Sequence, residues 1–186
     1  MFRKAFILIV VCTASGLAAA AQKVALKNNL LLDATASVNL GVEFKAGARS
    51  TVLVPGSFNL WKYDSEARFK HAALQPEFRW WLCAPFTGHF FGVHVHGAFY
   101  NVGGMGPFDA LKEYRYQGWL AGAGASWGYN WIVAPRWSIE ATVGVGYAYL
   151  SYDKYRCREC GRDMGHSTKH WFGPTKLAVT VEFLIK

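Results

Sequence analysis

The sequence predicts an all-β protein that forms an eight-stranded antiparallel up-and-down transmembrane β-barrel. The first observation is a period-two alternation of apolar and polar residues, which runs through most of the 186 residues and is typical of strands. The second is that short and long connections between these segments alternate along the chain. The third is that aromatic residues stand at both ends of one strand, with alanines between them. Helical periodicity is almost absent.

The amino-terminal segment, residues 1–21, has the pattern of a secretory signal peptide. Arg3 and Lys4 form a charged start, an apolar core follows, and Ala19–Ala21 provide a small-residue cleavage site. The apolar run is shorter than the ~20 residues that a membrane-spanning helix needs. The sequence therefore predicts an exported chain whose mature domain occupies residues 22–186.

Five predicted strands occupy the first part of the mature chain. Three weaker alternating segments lie near residues 24–34, 38–46 and 50–60. The alternation is clearer in residues 74–83 and 89–102, where bulky apolar side chains share one face and charged or histidine side chains share the other. Such alternation is expected of strands that separate two different environments.

Three longer alternating segments complete the predicted barrel. Residues 117–131 place aromatic residues and alanines on one face, opposite a face of glycines. Residues 137–151 alternate from Trp137 onwards, and residues 177–185 alternate almost to the end of the chain, as terminal strands of membrane barrels do.

The connections fall into two classes by length. Short turns are predicted at residues 35–37, 46–49, 84–88 and 132–135, and longer polar connections at residues 61–70, 101–116 and 151–172. Apart from the first, the two classes alternate along the chain. Short turns at one end and long loops at the other are typical of even-stranded outer-membrane barrels, whereas a sandwich does not require that order.

The aromatic pattern favours lipid on the apolar side of the strands. The predicted aromatic girdle consists of Trp119, Trp127, Tyr129 and Trp137. From Trp119 to Tyr129 a tilted strand advances about 25 Å along the barrel axis, which matches the height of the apolar band of a membrane barrel. A soluble lipocalin-like barrel, with its apolar face inward, is the alternative fold.

The opposite face predicts a polar interior. Because eight strands leave room only for side chains, a conducting pore is not expected, and buried charges are expected to pair. The predicted interior charge network consists of Glu77, Arg79, Glu140 and Glu182, paired with cations. The charges on the interior face as a whole are Lys27, Glu43, Lys45, Glu77, Arg79, Glu140, Lys176 and Glu182. His94 and His96 share this face; a metal or proton site is conceivable, but bonds to nearby carboxylates are the favoured interpretation.

The longest predicted loop contains a metal-site motif. Cys157 and Cys160 form a C-x-x-C-G turn, and His166 and His170 follow. Two thiolates and two imidazoles suit tetrahedral zinc, whereas an exported location favours a disulfide. Disulfide, zinc site and free thiols remain open alternatives, and Cys83 is predicted to lie too far away to bridge to the loop. No other cofactor is expected.

Several stretches resemble a family of small outer-membrane proteins of unknown function from Bacteroidota. They are LKNNLLLDAT, QPEFRWWL, GHFFGVHVHGAFYNVGG, the run from GYNW to GYAYLSYDKY, the CxxCG turn, and FGPTKLAVTVEFLIK. The resemblance implies an eight-stranded barrel, often encoded beside fimbrial or adhesin genes. It implies no reaction and no catalytic residues.

The expected function is that of a non-enzymatic barrel in the outer membrane of a Gram-negative bacterium, presenting loops for structural or adhesive contacts. The formal charge of +8, or +6 without Arg3 and Lys4, favours outer-membrane lipid and lipopolysaccharide as partners, beside a surface or fimbrial protein. Nucleic acid is not expected, because the chain is exported. A lipid-modifying enzyme is the alternative function, and its candidate groups are Ser151, Asp153, His166, Ser167 and His170.

Overall fold

The computed structural model describes residues 23–61, 68–104, 114–156 and 163–185, which form a single antiparallel sheet. No helix in this part of the chain is long and apolar enough to span a membrane. In chain order the elements are β1 (Val24–Asn29), α1 (Leu30–Asp33), β2 (Val38–Lys45), β3 (Ser50–Asn59), β4 (Arg68–Leu74), β5 (Glu77–Trp81), β6 (Gly88–Gly103), β7 (Tyr114–Ala134), β8 (Trp137–Arg156) and β9 (Asp163–Ile185).

The sheet closes on itself as a ring of eight antiparallel strands. Apart from β4 and β5, each strand pairs with the next along the chain, and β1 pairs with both β2 and β9. The segments β4 and β5 share one place in the ring, since both pair with β3 on one side and β6 on the other. They are separated at Gln75 and Pro76, where proline cannot donate a ladder hydrogen bond. The predicted all-β, up-and-down arrangement of eight antiparallel strands is confirmed.

Two ends of the ring can be distinguished. The turn end carries the connections at residues 46–49, 82–87 and 135–136, and both ends of the described chain reach it, as the bond from the Leu184 amide to the Arg136 carbonyl shows. The opposite end, called the ribbon end, is where β8 and β9 continue beyond β1, with β7 paired to β8 as far as Arg156.

The first predicted strand, residues 24–34, is too long. β1 ends at Asn29, and the next four residues form α1. The Asn29 side chain accepts a hydrogen bond of 3.1 Å from the Leu31 amide, which is the role of an N-cap. A capped run of three leucines therefore forms one helical turn where continuous strand was predicted.

The last predicted loop, residues 151–172, is largely strand. β8 continues to Arg156 and β9 begins at Asp163, so the two form a long ribbon. The register shifts by one residue because Gly144 pairs with Lys176 and Val145 with Pro174. The extra residue in β9 is a β-bulge, and it reverses which positions of the strand face outward. Because the alternation changes phase there, the sequence pattern of β9 does not continue across the bulge.

The two faces of the ring have opposite chemistry. On β8 the side chains of Glu140 and Thr142 are buried, whereas Val143 and Val145 are exposed. The same alternation on β6 buries His94 and exposes its neighbours Val93 and Val95. The interior is therefore polar and charged, and the outer wall is apolar. This is the reverse of an ordinary soluble domain.

Candidate functional site

A buried charge cluster crosses the interior of the ring. Lys27 of β1 places its Nζ 2.5 Å from carboxylate oxygens of Glu43 and Glu140 and 3.0 Å from Glu182. The oxygens of these three glutamates lie within 4.8 Å of one another, a spacing that could hold a metal ion. The lysine ammonium occupies the centre of this group, so it supplies the positive charge that a metal would supply.

Arg79 joins this group to the other side of the ring. Its guanidinium donates to Glu43 at 3.0 Å, to Glu140 at 2.9 Å and to Glu77 at 3.1 Å. The same guanidinium lies 4.4 Å from the ring centre of Phe90, which covers it from the turn end. Five donors in a fixed fork allow one arginine to bind three carboxylates at once.

Glu77 forms the third part of the cluster. It accepts hydrogen bonds from Lys176 and from the Ser126 hydroxyl, and it is fully buried. A methyl group at Gly92 would overlap both the carboxylate of Glu77 and the hydroxyl of Ser126. Glycine at this position of β6 is therefore what allows the carboxylate to cross the interior.

The interior is closed at the turn end and contains a cavity on the ribbon side of the cluster. At the turn end Trp81 packs 4.8 Å from Phe90 and 6.0 Å from Phe86, and its indole donates to Thr51. Toward the ribbon end the cluster forms the floor of a cavity of about 410 Å³. Its walls include Phe69, His71, Tyr100 and Leu120. The ion-paired cluster therefore forms the base of a cavity inside the ring.

The four residues of the predicted interior charge network lie in this cluster. Glu77, Arg79, Glu140 and Glu182 are buried, each in an ion pair with a cation or carboxylate of the same cluster. The alternation had also placed Lys27, Glu43 and Lys176 on this face. The alternation also put Ser126 and Asn130 on this face. It did not indicate that Thr51, Ser126 and Asn130 bond to the carboxylates, because a hydrogen bond between distant strands has no signal in the sequence.

Among the residues that the structure describes, the two interior histidines do not form a ligand set with a carboxylate. The rings of His94 and His96 lie 5.6 Å apart, and His94 Nε2 is 3.0 Å from the Thr175 hydroxyl. Within the described part of the chain, neither Nδ1 atom has a hydrogen-bond partner. The favoured interpretation, bonds from these histidines to carboxylates, is therefore wrong.

The predicted aromatic girdle lies on the outer wall. Trp119, Trp127 and Trp137 are exposed, and Tyr129 packs against His89 and Trp131. These side chains form two groups separated by a zone of alanine and valine. The turn-end group comprises Trp127, Tyr129, Trp131 and Trp137; the ribbon-end group comprises Phe99, Trp119, Tyr147, Tyr149 and Phe172; the zone between them comprises Ala121, Ala123, Ala125, Val143 and Val145.

The two histidines of the predicted zinc motif lie on one strand and bind different partners. His166 contacts Ser151 at 3.2 Å and Asp153 at 2.9 Å, and His170 Nδ1 lies 2.5 Å from the Tyr147 hydroxyl. Four residues of strand separate the two histidines by about 13 Å, so these imidazoles do not converge on one zinc ion.

The two cysteines of the same motif, Cys157 and Cys160, lie outside the described residues, so the choice between disulfide, metal and free thiols stays a prediction. Cys83 is free and exposed beside the turn end.

Comparison with known proteins places the chain in a family. No curated protein and no solved structure matches it. One family model, described as a protein of unknown function (DUF3575), matches residues 6–185. The expected resemblance to a domain of unknown function is confirmed at that level. Since the match covers nearly the whole sequence, the chain belongs to the DUF3575 family.

Proposed function

We propose that this chain is an outer-membrane β-barrel of a Gram-negative bacterium, exported by a signal peptide over residues 1–21, whose mature domain 22–186 presents its ribbon end for structural or adhesive contacts. The observation that carries the proposal is the apolar outer wall around a charged interior. A transmembrane barrel needs this arrangement, because lipid contacts the outside and every backbone polar group must be paired.

The exposed wall supports insertion through its height and composition. Leu40 on β2, Val93 on β6, Val145 on β8 and Leu177 on β9 are each more than half exposed, so the apolar surface continues around the ring. Contiguous apolar surface on this scale is not tolerated in water by an isolated monomer. The alanine and valine zone between the two aromatic groups has the pattern of a lipid band between interfacial girdles.

The charge cluster supports a structural role for the interior. Trp81 and Phe90 close the turn end, and Arg79 and Lys27 hold four carboxylates across the middle. At the height of the cluster these side chains span the narrow interior of the eight-stranded ring. A soluble lipocalin-like barrel needs a polar outer surface, which the exposed apolar side chains of the outer wall do not supply.

The proposed binding partners follow from the position of the ribbon end and from the net charge of the chain. The ribbon of β8 and β9, which pairs with β7 as far as Arg156, stands at the end of the ring opposite Val24 and Ile185. A positive net charge favours contact with anionic lipid and lipopolysaccharide. A fimbrial or other surface protein is the macromolecular partner proposed for the ribbon end, in line with the expected origin in Bacteroidota.

The proposal predicts that the mature chain folds into lipid vesicles and does not conduct ions. Folding is read as a shift in electrophoretic mobility between unheated and heated samples, and conductance in a planar bilayer should stay at the level of protein-free lipid. A chain that folds as a monomer in buffer without detergent or lipid would contradict insertion. Steady conductance with a folded chain would contradict the closed interior.

A further inference from the structure

Three side chains on the outer wall form a continuous hydrogen-bond series. Ser151 Oγ lies 3.2 Å from His166 Nε2, and His166 Nδ1 lies 2.9 Å from Asp153 Oδ1. Each nitrogen of the imidazole therefore contacts a different oxygen, one a hydroxyl and the other a carboxylate. This is the connectivity of a nucleophile, a general base and the group that orients the base.

The register of the ribbon explains why these residues meet. Asp153 and His166 are direct partners between β8 and β9, so their side chains stand on the same face. Ser151 precedes Asp153 by two positions, which returns it to that face. The face is the outer wall, because Tyr147 and Val145 continue the same row of alternate residues.

We propose that Ser151, His166 and Asp153 form a serine nucleophile site that hydrolyses carboxylic esters of fatty acyl chains in membrane lipid. The ester class follows from the triad, and the lipid source follows from the position on the outer wall. The choice of a membrane substrate rests on the proposed membrane insertion. The assignment of Ser151 as a nucleophile rests only on the geometry of the three side chains. Under this proposal the barrel is an enzyme as well as a scaffold.

Each member of the series has a defined role in the reaction. Ser151 Oγ adds to the ester carbonyl carbon while His166 Nε2 takes its proton, and the carbonyl electron pair moves onto oxygen. The tetrahedral intermediate collapses, the bond to the alcohol breaks, and the alcohol leaves with the proton from His166. Asp153 holds the Nδ1 proton and so keeps Nε2 available as the base.

Water completes the cycle at the same groups. His166 removes a proton from water as the oxygen adds to the acyl carbonyl, and the bond to Ser151 then breaks and the serine recovers its proton. The net reaction is ester plus water to carboxylic acid plus alcohol. Thr168, the register partner of Ser151 on β9, is exposed on the same face, so its hydroxyl is available to donate to the developing oxyanion.

The surroundings of the serine fit an acyl chain on one side and a polar head on the other. Ser151 is only 7% exposed, whereas the side chains of His166 and Asp153 are 58% and 45% exposed. Trp119 is the partner of Ser151 on β7, and Tyr149 packs beside that indole. The triad therefore lies at the ribbon-end aromatic group, where the ester linkages of a lipid lie when its chains contact the wall below.

The proposal is tested first with a fluorophosphonate probe on the full mature chain folded into vesicles. We expect the probe to label the wild type and not Ser151→Ala, and we expect Asp153→Asn to slow labelling by about 10²- to 10⁴-fold. Ser167→Ala removes a hydroxyl from the other face, and His170→Gln removes a histidine of the same strand. Both controls should label at the wild-type rate. If the hydrogen bond at Ser151 were only structural, the probe would not label that serine.

Two lipid substrates then distinguish the sources of the ester. Fatty acid released from phosphatidylethanolamine vesicles would assign glycerophospholipid, and release from vesicles containing lipopolysaccharide would assign the acylated saccharide. Release from neither, with labelling intact, would overturn the lipid substrate. Folded, inserted wild type that is not labelled, or is labelled equally after Ser151→Ala, would overturn the triad. Failure to insert would instead be read from electrophoretic mobility and would count against membrane insertion.

Discussion

Replacing Arg79 by methionine is expected to lower the free energy of unfolding by about 3–5 kcal/mol. Arg79 is buried and donates to Glu43, Glu77 and Glu140 at distances of 2.9 to 3.1 Å. Methionine replaces the aliphatic stem of the arginine side chain but has no charge and no donor, so it leaves the carboxylates with too little positive charge and too few donors. The free energy is measured from urea unfolding in vesicles, followed by tryptophan fluorescence.

A matched variant and a second substitution separate charge from packing. Arg49→Met changes an exposed arginine in the turn after β2 and should stay within about 0.5 kcal/mol of the wild type. Adding Glu140→Gln to Arg79→Met removes one of the carboxylates left unpaired and should recover part of the loss, so the two changes will not be additive. If Arg79→Met unfolds at the wild-type urea concentration, the cluster does not stabilise the ring.

The strand order was predictable because the side-chain period of a strand is two and the two faces differ in chemistry. Alternation located β6, β7 and most of β8 within a few residues. It failed where the backbone leaves that period. The bulge near Thr175 reversed the faces within β9, and the capped helix after Asn29 replaced predicted strand by one helical turn.

The interior charges were predictable as a class, but their pairing was not. Lys27 and Glu140 are 113 residues apart and meet only because the ring closes between β1 and β9. Such a pair has no local signal. For the same reason Ser151 and His166 were predicted to lie in a loop, where spacing in the sequence shows no triad. Their hydrogen bond depends on the register between β8 and β9, which has no local signal.

The interior and the outer wall place different demands on one strand. On β8, Glu140 and Thr142 belong to the buried cluster, and Val143 and Val145 belong to the apolar zone. The strand continues past that zone to Ser151 and the ribbon. The residues that stabilise the ring and the proposed catalytic residues therefore lie on different faces and at different heights of the ring. A variant of one set can be tested while the other set stays intact.

Replacing Val145 by arginine is expected to lower the free energy of unfolding in vesicles by about 2–4 kcal/mol. Val145 is 58% exposed on the outer wall, in the zone between the two aromatic groups, so it is the position on β8 that the proposal places near the bilayer midplane. A charged side chain there must leave water for hydrocarbon, which costs free energy. This cost falls to about 0–1 kcal/mol at the membrane interfaces. Ile139→Arg, on the same outer face of β8 but paired with Trp131 of the turn-end aromatic group, is therefore the matched control and should change little. Both variants are compared by urea unfolding in vesicles and by the shift in electrophoretic mobility on heating. Equal stability of Val145→Arg and wild type would mean that the apolar wall faces water or a protein partner, and membrane insertion would then be abandoned.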